Sequence, residues 1–233
     1  MNLVLGLLLG PLPIFFLPIM TASHDFPDRL EPSWPGGIVT SSVSTSSGRT
    51  GGTDQKYSGL GRFLKPGGVK LDKIYRILKD FETGLSQREE QKLAQLIYKE
   101  SFRYQYDPEL ILAVIAAESS FYNWSRSRAG AIGLMQILPT TGFSLAKARN
   151  INWMGNATLY DPYINIKLGI KYLAMMDDQF DDLETALTAY NYGPTRVSKM
   201  IRRCDRLPMA YSQKVLTNYQ KFLELDLQDV VES

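Results

Sequence analysis

Between Asp107 and Ser120 the chain reads DPELILAVIAAESS, and this stretch limits the fold more than any other. Asp followed by Pro is a helix start, with the acid at the N-cap and the proline at the first helical position. From Leu110 to Ala117 every residue is apolar, so the predicted helix has no polar face. Such a helix is stable in water only when other elements enclose it. The flanking sequence supplies helices for that purpose. Leu71, Ile74, Ile77, Leu78 and Phe81 form a stripe of helical period. Ser86 and Glu89 have capping-box spacing and open a helix running to about Phe102. Asp161-Pro162 repeats the start signal, and helical patterns fill 163–180, 183–191, 195–203 and 208–225. Strand alternation is absent. The reading is an all-α domain over residues 70–226, with about seven or eight helices and a short tail over 227–233.

The first 69 residues read differently. Leu3 to Met20 is almost wholly apolar, with Pro11, Pro13 and Pro18 inside it and no charged side chain before Asp25. That length suits an export signal or a membrane anchor, and residues 1–23 are assigned to one or the other. Residues 24–69 are rich in Gly, Ser, Thr and Pro without a period, which describes a flexible linker. About 45 residues of such chain reach about 40 Å as a random coil.

Composition narrows the chemistry. The chain has one histidine, His24, and one cysteine, Cys204. An internal disulfide and a thiolate zinc cluster are thereby excluded, and no histidine lies in the helical domain to act as a base. Proton transfer would fall to carboxylates, tyrosines or lysines. The formal net charge of +2 gives no reason to expect nucleic acid. Arg202, Arg203 and Arg206 read as a solvated helix face.

Three short motifs draw attention. Glu118 follows the apolar run, and Ile111, Ile115 and Glu118 share one helix stripe. Burial and the helix dipole would both favour the protonated acid there, as a general acid requires. A solvated glutamate at a frayed helix end fits the same pattern. The second motif is a Gly-punctuated loop from Arg126 to Gln136, ending in GLMQ, where Gly130 and Gly133 allow close backbone approach. A turn with core Leu and Met fits it equally. The third, Ala189-Tyr190-Asn191-Tyr192-Gly193-Pro194, sets an aromatic ring and an amide at a helix end, side chains that suit sugars, and a plain helix C-cap fits it equally.

Taken in order, Glu118-Ser119-x-Phe121, Gly133-Leu-Met-Gln136 and Ala189-Tyr190-Asn191-x-Gly193 resemble the soluble lytic transglycosylase (SLT) domain family, with its goose-type-lysozyme-like fold. The likeness runs from Tyr106 to Tyr219 and takes in Leu159-Tyr-Asp-Pro162, Asn165-Ile166 and Gly169-Ile-Lys-Tyr-Leu173. The resemblance implies cleavage of the β-1,4 bond between N-acetylmuramic acid and N-acetylglucosamine of bacterial peptidoglycan, with a 1,6-anhydro end formed in place of hydrolysis. Glu118 would be the single acid and base. Ser119, Met135, Gln136, Tyr190 and Asn191 would line the substrate cleft. No cofactor or metal is implied. The setting would be the cell envelope or periplasm, with glycan strands and envelope machinery as partners.

One stretch departs from the family pattern. Members commonly carry Pro-x-Glu-Thr-x-x-Tyr after the third motif, whereas this chain has Leu207-Pro-Met-Ala-Tyr211. Tyr211 is either the equivalent cleft tyrosine or a core residue opening the last helix. A lysozyme-type hydrolase would need a second acid across the cleft, and none stands in these motifs. Asp177, Asp178, Asp181, Asp182 and Glu184 read as solvated acids, and Asp161 as a cap. A glycan-binding scaffold is the reading left if Glu118 is solvated outside a cleft.

Overall fold

A computed structural model describes residues 68–231 of the chain; the segments assigned to leader and linker lie outside them except for the last two linker residues, Gly68 and Val69, which open the first helix. Among the described residues nine helices follow in order: α1 (Gly68–Lys79), α2 (Gln87–Arg103), α3 (Pro108–Ser119), α4 (Pro139–Ala148), α5 (Ala157–Tyr160), α6 (Pro162–Phe180), α7 (Leu183–Tyr192), α8 (Pro194–Arg202) and α9 (Ala210–Val231). Among the described residues the only β pairing is isolated bridges, so the domain is all-α as expected. The helix count exceeds the sequence reading because α4 and the single-turn α5 lack a long apolar stripe. The last helix also continues beyond 226, into residues read as a tail.

The apolar helix is central. Leu110 to Ile115 are all buried, and Ile111, Leu112, Ala113, Val114 and Ile115 have no measurable exposure. Each of these larger side chains contributes about 2 kcal/mol through the surface it removes from water. Helix α3 packs chiefly on α9, and also on α1 and α2, while α6 packs on α7, α2, α4 and α5. The α1 stripe faces inward, with Ile74, Ile77 and Leu78 buried. A buried ion pair joins α1 to the start of α3: Lys73 Nζ lies 3.3 Å from Glu109 Oε1. Glu109 Oε2 is buried without a hydrogen bond, so the pair serves to neutralise rather than to strengthen.

The caps follow the sequence with two corrections. Glu89 Oε2 accepts from Ser86 N–H at 2.8 Å and from Ser86 Oγ at 2.6 Å, and these bonds hold its carboxyl below the ordinary value. Asp161 accepts from the N–H groups of Tyr163 and Ile164 at 2.9 and 3.0 Å. Asp107 sits at the N-cap of α3 but makes no side-chain cap bond. Its carboxylate instead accepts the Tyr219 hydroxyl at 2.6 Å, which ties α3 to α9 across the sequence. Burial first, and then this bond, push the Tyr219 phenol far above its ordinary range. The second correction concerns Asp177, which is buried and accepts from Tyr106 Oη at 3.4 Å rather than being solvated.

The loop between α3 and α4 is held from behind by one side chain. Asn165 of α6 is fully buried, and its amide Nδ2 donates to Ile132 O and Leu159 O, each at 2.9 Å. Its Oδ1 accepts the Met135 N–H at 2.8 Å. Gly133 makes this approach possible. At its φ of +81°, an added Cβ would come within 2.6 Å of Leu159 O and 2.8 Å of Asn165 Cγ. Gly130, with φ +83°, has nothing nearby, so it serves the turn rather than a close approach. Farther along α6, Gly169 leaves room for Met135, whose Cβ lies 2.6 Å from where a Gly169 Cβ would stand.

Asn165→Ala would remove three buried hydrogen bonds and leave the Met135 N–H without its partner, while Ile132 O keeps the Ile137 N–H. The expected loss is about 3 kcal/mol or more of unfolding free energy, read by urea denaturation. A loss below about 1 kcal/mol would show that the loop does not depend on this amide.

Candidate active site

Glu118 is the penultimate residue of α3 and is half-buried. The helix stops there because Ser120 and Phe121 both adopt left-handed backbone, at φ 50° and 66°. Phe121 then turns inward and is fully buried, with its ring 4.4 Å from that of Phe81 and 6.3 Å from that of Phe222. This anchor makes the end of α3 a fixed point rather than a frayed one.

Helix α9 closes on that point with two side chains one turn apart. The Tyr211 hydroxyl donates to Glu118 Oε1 at 2.7 Å. Lys214 Nζ donates to Ala117 O at 2.9 Å, which places a cation on the carbonyl end of α3. A cation there offsets the helix dipole that otherwise opposes an anion at Glu118. Tyr211 is thus brought to the carboxylate across the domain, and the shortened stretch before it does not prevent this.

The GLMQ loop meets the same helix end. Ser119 Oγ donates to Leu134 O at 2.9 Å and to Ile115 O at 3.2 Å. Met135 is fully buried against α6, and its carbonyl accepts the Tyr190 hydroxyl at 2.8 Å. Gln136, at φ 47°, donates from Nε2 to Ser125 O at 3.1 Å and Gly133 O at 2.9 Å. The Tyr190 ring lies 5.1 Å from that of Tyr172. Asn191 is buried at the end of α7, and its amide makes no hydrogen bond among the described residues.

Sequence reading singled out Ser119, Met135, Gln136 and Tyr190 as cleft-lining residues. In the structure their polar atoms brace backbone, and the Met135 side chain has no exposed surface. Sequence reading missed Lys214, and it quoted Asn165 only within the family likeness. An asparagine set among apolar residues inside a helix was the available signal for Asn165, since a buried amide must find partners.

The remaining buried or half-buried acids are engaged elsewhere. Glu90 accepts from Thr83 Oγ1 at 2.6 Å, Glu100 pairs with Arg103 and Glu109 with Lys73. Asp107 and Asp177 take tyrosine hydroxyls, and Asp161 caps α6. No group of three or more His, Cys, Asp or Glu able to hold a metal occurs among the described residues. Nor is any described helix long and apolar enough to cross a membrane.

The model of the transglycosylase SLT domain matches residues 95–211. The membrane-bound lytic murein transglycosylase C of Histophilus somni is 34% identical over 145 residues, covering 54% of this chain and 40% of that protein. The protein of that name from Actinobacillus pleuropneumoniae is 37% identical over 99 residues, covering 42% of this chain and 27% of the relative. The chain thus spans 40% or less of the length of these relatives. An inactive mutant of the lytic transglycosylase Slt from Pseudomonas aeruginosa superposes with a TM-score of 0.50 at 27% identity, over 57% of this chain and 24% of that one. The 70 kDa soluble lytic transglycosylase of Escherichia coli gives a TM-score of 0.50 at 26% identity, with the same coverage. The shared region is the lysozyme-like helical fold that carries Glu118, the GLMQ loop and α7, and the chain belongs to the transglycosylase SLT domain family.

Proposed function

We propose that the protein is a peptidoglycan lytic transglycosylase that uses Glu118 as its single acid and base. The observation that carries this reading is the Tyr211 hydroxyl 2.7 Å from Glu118 Oε1, at a helix end fixed by buried groups. Relatives named as murein transglycosylases and a solved complex of the 70 kDa enzyme with bulgecin A support the substrate class. In the first step the Glu118 carboxyl gives its proton to the glycosidic oxygen, and the bond from the muramic C1 to that oxygen breaks. In the second, the Glu118 carboxylate takes the proton of the same sugar's 6-hydroxyl, whose oxygen bonds to C1. The acid is restored, water is not consumed and a 1,6-anhydro end remains.

Tyr211 holds the carboxylate at one oxygen and so fixes the direction of the proton. Ser119, Met135, Gln136 and Tyr190 set the wall of the cleft through the backbone they hold. Asn191 offers an amide to the sugar. The engagement of the other buried acids by their own partners favours this reading over a two-carboxylate hydrolase. The half-buried, Tyr211-bound Glu118 weighs against a scaffold that only holds glycan. The work site is the cell envelope, with residues 1–23 as export signal or anchor and the linker giving reach toward glycan strands.

Glu118→Gln keeps the side chain's shape and removes the proton. It is expected to lower release of soluble fragments from purified sacculi by about a thousandfold; release at the wild-type rate would remove Glu118 from the mechanism. Tyr211→Phe is expected to lower kcat by about ten- to a hundredfold with little change in thermal stability. An unchanged kcat would mean that the hydroxyl does not position the carboxylate.

A further inference from the structure

The segment joining Glu118 to the GLMQ loop presents a face that the proposed chemistry leaves unused. Arg126 pairs with Ile132 in an antiparallel bridge, with Gly133 N–H donating to Ser125 O and Ser127 N–H to Ala131 O, each at 2.9 Å. Along the turns that lead into this bridge Phe121 and Asn123 are buried and Ser125 and Ser127 half-buried, while Tyr122, Trp124, Arg126 and Arg128 are exposed.

The exposed aromatics are fixed in place. Trp124 is 52% exposed, yet its ring stacks on Tyr160 at 5.7 Å and an interplanar angle of 29°, and its indole N–H donates to Gly84 O at 3.4 Å. Gly84 has φ +72°, and a Cβ there would stand 3.0 Å from Trp124 Cδ1 and 3.3 Å from Tyr122 Cε2, so the glycine is the seat for both rings. Beneath them Asn123 donates from its backbone N–H to Thr83 O and from Nδ2 to Tyr160 O, both at 3.0 Å. Orientation is thereby set before any ligand arrives, which reduces the ordering cost of binding. Arg126 and Arg128 follow two and four residues after Trp124 in the chain, both exposed, and neither is in an ion pair among the described residues.

We infer that this exposed segment, through Tyr122, Trp124, Arg126 and Arg128, is a second contact for the peptide-bearing glycan strand. Ordered aromatic rings suit the C–H faces of sugars, and guanidinium forks suit carboxylates. A glycan strand with acidic stem peptides offers both groups at a regular interval. Continuity with the cleft favours this occupant: Trp124 lies six residues beyond Glu118, hence within about 20 Å of it along the chain. The inference rests on the peptidoglycan reading. Aromatic and basic side chains on one exposed segment also suit an anionic lipid surface, and the test separates the two.

The full chain carrying Glu118→Gln would be sedimented with purified sacculi, so that strands stay intact. Adding Trp124→Ala, or Arg126→Ala with Arg128→Ala, is expected to raise the half-saturating sacculus concentration about five- to tenfold. Trp124→Phe should restore most of the first loss. Stripping stem peptides with an amidase should abolish the arginine effect and spare the tryptophan effect. The arginine pair is exposed, so its variant remains informative if Trp124→Ala does not fold. Sacculus binding indifferent to both changes would overturn the inference. So would a loss of binding to vesicles containing anionic phospholipid with sacculus binding intact. The wild-type chain's release of fragments separates the two readings. Release with indifferent binding removes only this contact, and Trp124-dependent binding without release removes only the transglycosylase activity.

Discussion

A buried loop must find partners for its backbone, and in this domain one amide ties that backbone to the helix behind it. Asn165 holds Met135 N–H, Ile132 O and Leu159 O at once. With those three groups satisfied, the Met135 and Leu134 carbonyls face Tyr190 and Ser119, and each accepts a hydroxyl. The loop, α6, α7 and the end of α3 are therefore registered against one another through a short chain of hydrogen bonds. Inside a protein such a chain tolerates few gaps, because any orphaned member costs its full desolvation. The side chains carried over from the family likeness mainly build this frame.

The C-terminal end of α3 is fixed by a second set of contacts from α9. Phe222 reaches Phe121 just past the helix end, Lys214 the Ala117 carbonyl, Tyr211 the Glu118 carboxylate and Tyr219 the Asp107 carboxylate at the helix start. Contacts at both ends of α3 hold the helix along its length, and with it the position of Glu118. Helix α1 precedes the region matched by the family model and is tied in by the buried Lys73–Glu109 pair. Removing one partner of such a pair leaves an uncompensated charge in the core.

The helical plan was legible because its signals are local. The Ser86–Glu89 spacing and Asp161-Pro162 each act within one turn and the α1 stripe within one helix and its end, and each does so in the structure. Asp107 shows where local reading stops. Its position marks the helix start correctly, but its carboxylate is claimed by a tyrosine 112 residues away. Asp177 was misread for a related reason: a run of acids at a helix junction gives no sign of which one turns inward. Helix α4 has too weak a stripe to register, and α5 is a single turn. At the site, residue identities came from the order of three motifs, while the use of each side chain did not. Met135 and Gln136 occupy motif positions, yet what they give the site is a carbonyl and a loop brace. Only tertiary packing decides that, as it decides that Tyr211 meets Glu118.

The account turns on a lone carboxylate serving as both acid and base, with the substrate's own hydroxyl in place of water. The most direct measurement is mass spectrometry of the sugars released when the full chain digests purified sacculi. The account predicts fragments one water lighter than hydrolytic products and lacking a reducing end. Fragments ending in reducing N-acetylmuramic acid would contradict it and would require a second acid opposite Glu118.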